Sequence, residues 1–114
     1  MASPGFLNSS FTYFQRLFAN CTFVIASENT RWCRENTPPG AQVEYLDVHS
    51  PAVDMSVLVS MDHVITTFGS YSWWIGYLNE GITVYMKDFI VPGTHIGGHF
   101  TNPDDYVYPG WVPL

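Results

Sequence analysis

Gly69 is surrounded by hydroxyl side chains near the middle of the chain: Thr67 precedes it, and Ser70, Tyr71 and Ser72 follow it. Glycine lets the backbone bend and lets a ligand approach it closely. If a helix begins after this glycine, its N–H groups and the positive end of its dipole suit a phosphate group, and the hydroxyls add further donors. The alternative is an ordinary strand–turn–helix junction in which a serine caps the helix, because the segment is neither a G-x-G-x-x-G motif nor a P-loop.

Strands and helices alternate on both sides of this turn. Short β-branched or aromatic runs predict strands at 22–27, 43–48, 63–68 and 82–86. Their apolar, non-alternating composition is typical of parallel strands covered on both faces. The sequence therefore predicts an α/β fold, a parallel Rossmann-like sheet of about four strands with helices on both faces. In such a sheet, ligands bind beyond the carboxyl ends of the strands, where the glycine turn lies.

The first two helices are predicted from apolar spacing and from capping residues. Apolar side chains recur at helical spacing over residues 11–18, with Ser9 or Ser10 as the predicted N-cap. A short second helix is predicted to begin at 29–30 and to end before the Pro-Pro-Gly sequence at 38–40.

The third helix has a strong predicted beginning, with Ser50 as N-cap, Pro51 at the first position and Asp54 in the first turn. The side chains expected on its inner face are Val53, Val57, Leu58 and Met61. A fourth helix is predicted from about 70 to 78, followed by Gly81 as a natural C′ residue.

The expected organisation is one Rossmann-like nucleotide-sugar-binding unit over 1–91 and a Gly/Pro/aromatic-rich tail over 92–114 that packs on it. The tail lacks a clear period, which predicts a long loop, with a short helix as the alternative. Its aromatic residues Tyr106, Tyr108 and Trp111 either cover the core or form a surface on which a carbohydrate stacks.

Composition excludes several classes of protein. Of the 114 residues, 46% are hydrophobic and only 12% are charged, which excludes a disordered, highly charged chain. The net charge of −6 argues against non-specific nucleic-acid binding, which needs several cations. No apolar run approaches the roughly 18 residues of a transmembrane helix, and the first residues lack the pattern of a signal peptide.

Other polar residues are interpreted as structural. His95 and His99 are four residues apart, but no third ligand accompanies them, so loop histidines are expected rather than a metal site. Asp104 and Asp105 are adjacent, and adjacent carboxylates on an extended chain point apart. His63, at the start of a predicted strand, is interpreted as a hydrogen-bonded junction residue rather than a general base.

Several segments together resemble one enzyme family. Residues 62–78, DHVITTFGSYSWWIGYL, are similar to the C-terminal motif of the α-1,2-fucosyltransferases, whose bacterial members carry S-T-F-S-W-W-G-A-W-L there. The likeness continues in FVIAS at 23–27 with WCREN at 32–36, in GITVYM at 81–86 with Phe89 and Pro92, and in PGW at 109–111. Each piece alone is unspecific, but the combination spans nearly the whole chain.

The resemblance implies transfer of L-fucose from GDP-fucose to the 2-hydroxyl of a galactoside, with inversion and without a metal or other cofactor. Carried over by position, Thr67 and the residues Gly69, Ser70, Tyr71 and Ser72 would line the diphosphate and fucose site. Ser27 would lie near the nucleotide, and Glu28 would offer a carboxylate to guanine. The family also implies a Golgi membrane or lumenal setting and a role in glycosylation.

The sequence departs from the family in its cations. Family members carry an H-x-R-R-G-D motif whose arginine stabilises charge on the leaving diphosphate, and this motif does not occur here. Arg31 and Arg34 lie on a predicted helix and are interpreted as solvated charges, so the catalytic residues stay unassigned. The chain is therefore expected to be a fragment of the enzyme. The alternative is a non-catalytic carbohydrate- or protein-interaction remnant of that fold.

Two further features bear on the compartment. Cys21 and Cys33 are either buried thiols or a disulfide. Two N-glycosylation sequons, Asn8-Ser9-Ser10 and Asn20-Cys21-Thr22, favour a lumenal or extracellular setting only weakly, because short motifs often occur by chance.

Overall fold

The computed structural model describes residues 3–46, 50–67, 69–87 and 107–114. The elements, in chain order, are α1 Pro4–Leu17, β1 Phe23–Ile25, α2 Thr30–Asn36, β2 Val43–Tyr45, α3 Pro51–Val59, β3 Val64–Thr66, α4 Ser70–Leu78, β4 Thr83–Tyr85 and β5 Val112–Pro113. The strand pairs β1–β2, β3–β4 and β4–β5 are all parallel. The predicted α/β class with parallel strands and intervening helices is confirmed.

The strands form two small sheets rather than one. One sheet has the order β1-β2 and the other has the order β3-β4-β5. All four predicted strands are present, but each is only three residues long. The expectation of a tail without strands is wrong at its end, since β5 pairs Val112 with Val84 and Pro113 with Tyr85. A two-residue strand that contains a proline leaves no periodic signal in the sequence.

One apolar core joins the two sheets. Phe6, Phe11 and Phe14 of α1 are buried together with Phe23 of β1 and Val84 of β4. The rings of Phe11 and Phe23 stack with centroids 3.9 Å apart and planes 4° from parallel. Burying each such ring contributes roughly 1.5–3 kcal/mol. Helix α1 therefore holds β1 and β4 against one face.

Helix α1 begins earlier than predicted. Its N-cap is Ser3, whose hydroxyl accepts a hydrogen bond from the Phe6 amide, and Pro4 occupies the first turn. Ser9 and Ser10 lie inside the helix, and Ser10 is fully buried with its hydroxyl donating to the Phe6 carbonyl at 2.8 Å. The Ser-Pro pair at the start, the same signal that marks α3, was the true boundary.

Helices α2 and α3 begin as predicted, with Asn29 and Ser50 as their N-caps. The inner face of α3 was predicted wrongly in one position, because Val53 is 54% exposed whereas Asp54 is only 6% exposed. Asp54 and the half-buried Val57 and Leu58 follow the i, i+3, i+4 spacing of a helix face. An almost wholly apolar helix offers little contrast by which to choose its buried face.

Helix α4 has the predicted bounds, but Gly81 does not serve as its C′ residue. The C-cap is Asn79, in an extended conformation with φ −75°. The side-chain nitrogen Nδ2 of Asn79 donates to the carbonyls of Val59 and Met61. A Cβ built on Gly81 would lie 1.8 Å from the carbonyl oxygen of Asp62. Glycine is required there because two backbone segments pass in contact.

Both cysteines are free thiols. Cys33 is buried, and the half-buried Cys21 donates its thiol to the carbonyls of Phe14 and Phe18, both at 3.4 Å. Within the described ranges, no helix combines the length and the apolar character needed to cross a membrane.

Candidate functional site

The predicted site is the turn between β3 and α4. Gly69 precedes the helix with φ 126° and ψ 153°, a conformation essentially restricted to glycine. A Cβ built on it meets no atom of the described residues within 4 Å, so the backbone conformation is what calls for glycine here. The first amides of α4, at Ser70, Tyr71 and Ser72, lack an intrahelical carbonyl partner by helix geometry. Such amides and the positive end of a helix dipole suit a phosphate group, and phosphate binding at this turn stays a prediction.

The hydroxyls of the turn differ in what they do. Ser72 donates to the carbonyl of Thr67 at 2.9 Å, so its hydroxyl braces the turn across Gly69. Ser70 is exposed and Thr67 is half-buried. The structure thus brings Thr67 and the residues at 69–72 together as one junction, in which the side chains of Ser70 and Tyr71 are exposed beside the helix terminus.

Tyr71 links the beginnings of two helices. Its phenol donates to the carbonyl of Pro51, the first residue of α3, at 2.7 Å. Burial raises the pKa of Tyr71 above its usual 10.0, and the charge of Asp54 raises the pKa further. The phenol therefore stays protonated and keeps its hydrogen bond through the physiological range. Tyr71 positions α4 against α3.

Asp54 is the residue near this junction that the sequence prediction missed. It was predicted as a first-turn acid that complements the dipole of α3, but it lies on the buried side of the helix, beside Tyr71. The signal was available in the spacing, since Asp54 lies three and four residues before Val57 and Leu58. An apolar preference for the inner face hid it.

Ser27 and Glu28 form a second junction, after β1. The hydroxyl of Ser27 accepts a hydrogen bond from the Asn29 amide at 3.0 Å, and the side chain of Asn29 caps α2 by accepting from Trp32 N. Glu28 is exposed. Both residues follow a strand of the two-stranded sheet, whereas Gly69 follows a strand of the three-stranded sheet. Their contact with a nucleotide stays a prediction.

His63 lies at the entrance to β3 and is a structural residue, as interpreted from the sequence. Its Nδ1 accepts a hydrogen bond from the Ile82 amide at 2.9 Å. Its ring stacks on Phe14 and Phe18, with centroid distances of 5.5 and 4.7 Å. His63 therefore connects α1, β3 and the segment that leads into β4.

An aromatic cluster covers the outer side of α4. Trp73 is half-buried and its ring lies 5.7 Å from that of Trp111, while Trp74 is 50% exposed. Gly76 lets Trp111 approach, because a Cβ there would lie 3.0 Å from the indole. Trp111 therefore covers α4, whereas Tyr108 is 45% exposed. The covering role expected of the tail aromatics is seen at Trp111, a carbohydrate-stacking role for the exposed Tyr108 stays a prediction, and Tyr106 lies outside the described residues.

The described part of the chain contains no group of three or more His, Cys, Asp and Glu side chains that could hold a metal ion. The interpretations of His95, His99, Asp104 and Asp105 lie outside the described residues.

The chain matches known proteins along its whole length. The family model described as "Glycosyl transferase family 11" matches residues 2–114. Galactoside 2-alpha-L-fucosyltransferase SEC1 of Bos taurus is 31% identical over 122 residues, covering 100% of this chain and 32% of the relative. Galactoside alpha-(1,2)-fucosyltransferase 2 of Oryctolagus cuniculus is 30% identical, covering 100% of this chain and 33% of the relative.

A third relative, galactoside alpha-(1,2)-fucosyltransferase 1 of Sus scrofa, is 31% identical over 114 residues, covering 96% of this chain and 31% of the relative. The chain thus spans about a third of the length of these relatives. No solved structure matches it at a significant level. The family model covers residues 2–114, and the structure has the α/β architecture of parallel strands with a glycine turn before α4, so this chain belongs to glycosyl transferase family 11.

Proposed function

We propose that this chain forms part of an α-1,2-fucosyltransferase and supplies the turn that binds the diphosphate of GDP-fucose. The observation that carries the proposal is Gly69, whose glycine-only backbone conformation directly precedes the N-terminus of α4, with no described atom within 4 Å of a Cβ built on it. The names of its relatives, galactoside fucosyltransferases, support fucose transfer to a galactoside acceptor glycan, and GDP-fucose as the donor is what the family resemblance implies. A Golgi setting is part of the proposal.

In the proposed reaction, the 2-hydroxyl of galactose attacks the anomeric carbon of fucose, and GDP leaves from the opposite face. Negative charge then grows on the leaving diphosphate, and groups that are fixed in position beforehand stabilise it most effectively. The amides at 70–72 and the dipole of α4 are such groups, and the hydroxyl of Ser70 adds a donor. In this proposal the diphosphate charge is met by protein groups rather than by a metal ion.

The arginines of α2 are engaged elsewhere. Arg31 pairs with Glu35 at 3.1 Å on the surface, with 89% of the Arg31 side chain exposed. Arg34 lies over the ring of Tyr45, 4.2 Å from its centroid. Neither is assigned to the diphosphate. The charge stabilisation proposed for this chain therefore comes from backbone dipoles and hydroxyls.

Titration of GDP against the intact chain tests the proposal. Ser70→Trp places a large ring at the exposed beginning of α4 and is expected to abolish binding. Ser9→Trp is the matched control, since Ser9 is also an exposed helical serine, but on α1. Weak binding by the original chain and by Ser9→Trp, lost in Ser70→Trp, supports the site. Equal binding in all three, or binding in none, contradicts it.

The second candidate is a non-catalytic carbohydrate- or protein-interaction remnant of the fold. The exposed rings of Trp74, Tyr77 and Tyr108 favour it, at 50%, 45% and 45% exposure. A turn at Gly69 that is blocked by other parts of the chain would favour it further, and among the described residues no atom lies within 4 Å of a Cβ built on Gly69. Binding measurements distinguish the two candidates. A chain that binds a galactoside at Trp74 and Tyr108 but does not bind GDP favours the remnant.

A further inference from the structure

The two N-glycosylation sequons occupy opposite kinds of structure. Asn8-Ser9-Ser10 lies inside helix α1, whereas Asn20-Cys21-Thr22 lies in the turn between α1 and β1. An oligosaccharyltransferase must hold the asparagine amide and the hydroxyl of the third residue at the same time, which requires an open, surface segment. The sequence motif is the same, but the fold makes only one of the two available.

In the helical sequon, the hydroxyl that a transferase must recognise is buried. Asn8 is exposed, but Ser10 has 0% of its surface exposed. The Ser10 hydroxyl donates to the carbonyl of Phe6 at 2.8 Å, one turn earlier in the helix. A transferase could reach that hydroxyl only after α1 had unwound, and α1 contributes Phe6, Phe11 and Phe14 to the core. Opening this sequon therefore disrupts the fold.

The turn sequon has the opposite geometry. Asn20 and Thr22 are both exposed, while Cys21 between them is half-buried. The thiol of Cys21 is fixed on the last carbonyls of α1, those of Phe14 and Phe18, so the turn is held from its middle residue. Asn20 adopts φ 58°, a left-handed conformation that interrupts any helix. Both recognition groups of the sequon therefore lie at the surface without any unfolding.

We propose that Asn20 is an N-glycosylation site of this protein and that Asn8 is not modified in the folded chain. In the reaction, Nδ2 of Asn20 attacks the first sugar carbon of a lipid-linked oligosaccharide diphosphate. The new N–C bond forms as the C–O bond to the diphosphate breaks. The lipid diphosphate departs, and the transferase accepts the proton that Nδ2 loses. A glycan at this turn extends into solvent and leaves the thiol of Cys21 in place.

The competing explanation of Asn20 is purely conformational, because asparagine tolerates a left-handed φ better than most residues. Variants at Thr22 separate the two explanations, since they leave Asn20 and its turn unchanged. Thr22→Ala removes the hydroxyl that the transferase recognises, whereas Thr22→Ser keeps it. Asn8→Gln removes the helical sequon and serves as the control for that position.

The experiment incubates the folded, purified chain with a purified single-subunit oligosaccharyltransferase and a lipid-linked oligosaccharide, and maps glycopeptides by mass spectrometry. We expect at least about tenfold more glycan on Asn20 than on Asn8. A helix-opening free energy of only about 1.4 kcal/mol at Asn8 is enough to give a tenfold difference. The glycan persists in Asn8→Gln and Thr22→Ser and disappears in Thr22→Ala. In separate peptides of the two sequons, both asparagines are modified.

A second measurement uses the chain directed into the secretory pathway of cultured cells, with peptide N-glycosidase digestion followed by gel mobility. One glycan that is lost in Thr22→Ala and kept in Asn8→Gln supports the proposal. An Asn20 left bare in the folded chain while its peptide is modified overturns the proposal. Equal modification of Asn8 and Asn20 in the folded chain also overturns it, because the structure then does not decide between them.

Discussion

Replacing Gly69 with alanine isolates the backbone requirement of the donor turn. At φ 126° and ψ 153° an alanine occupies a region that costs about 1–3 kcal/mol, while its Cβ meets no neighbour within 4 Å. The loss therefore comes from the backbone alone. For a domain of this size, the midpoint of thermal unfolding should fall by roughly 4–12 °C. If the turn relaxes instead, the first amides of α4 move, and GDP affinity should fall by about tenfold, or 1.4 kcal/mol.

Gly40→Ala is the matched control. Gly40 also has a positive φ, of 81°, and open space around its Cβ, but it lies in the turn before β2. Its alanine variant should lose about 1–2 kcal/mol of stability and keep its GDP affinity. Thermal unfolding and calorimetric GDP titration on both variants give the comparison. A Gly69→Ala protein with the original stability and GDP affinity would refute the reasoning, and equal loss of affinity in Gly40→Ala would assign the effect to global destabilisation.

Three further predictions concern the residues that position this turn. Gly81→Ala should destabilise by about 3 kcal/mol or fail to fold, because its Cβ would collide with a backbone oxygen, whereas Gly5→Ala, in open helical space, should be neutral or stabilising in denaturant titrations. His63→Leu should lower the free energy of unfolding by about 1–3 kcal/mol, because it leaves the Ile82 amide without its acceptor. His63→Asn restores an acceptor and should recover part of this loss. Equal losses in the two variants would refute the role of His63 as a hydrogen-bond acceptor. Asp54→Asn should lower the pKa of Tyr71 but leave it above 10.0, since burial is the larger cause of the raised pKa. Ultraviolet titration, with Tyr71→Phe as the reference, measures this pKa. An unchanged pKa would show that the charge of Asp54 does not affect the phenol.

The pH dependence of stability follows from the same residue. The pKa of Tyr71 is raised in the folded chain, so its contribution is fully present below the unfolded pKa of 10.0. That contribution is lost as the pH rises through the folded pKa. The loss of this stabilisation is therefore confined to alkaline pH, and titration of Tyr71 should not change the stability of the junction between α3 and α4 near neutral pH.

Local signals in the sequence located the four helices and the first four strands, but they missed β5 and the beginning of α1 and did not show how the strands assemble. The capping residues Asn29 and Ser50 and the glycine at 69 marked helix beginnings, because capping chemistry is local. The division into two sheets depends on which strands hydrogen-bond, and that is decided by tertiary packing such as the Phe11–Phe23 stack. Gly81 was assigned to a helix end because its actual constraint, the passing Asp62 carbonyl, is close in space but 19 residues away.

The candidate site shows the same division. Thr67 and the residues at 69–72 were predicted as a unit because they are close in sequence, and the structure places them at one junction. The roles of Tyr71 and Ser72 within it were not predictable, since one depends on the Pro51 carbonyl and the other on a bond across the turn. Asp54 joined the site only through the packing of α3 on α4.

The charge around the turn leads to a prediction about ionic strength. The arginines of α2 are engaged with Glu35 and Tyr45, and the whole chain carries a net charge of −6. A helix N-terminus contributes only about 0.3–1 kcal/mol to an exposed anion, so GDP should bind weakly and against the field of the chain. Salt screens that field, since the Debye length falls from about 30 Å at 0.01 M to about 8 Å at 0.15 M. GDP affinity should therefore rise modestly over this range. A site built on a cation behaves in the opposite way, so an affinity that falls with salt would show that an arginine, such as Arg34 released from Tyr45, reaches the diphosphate.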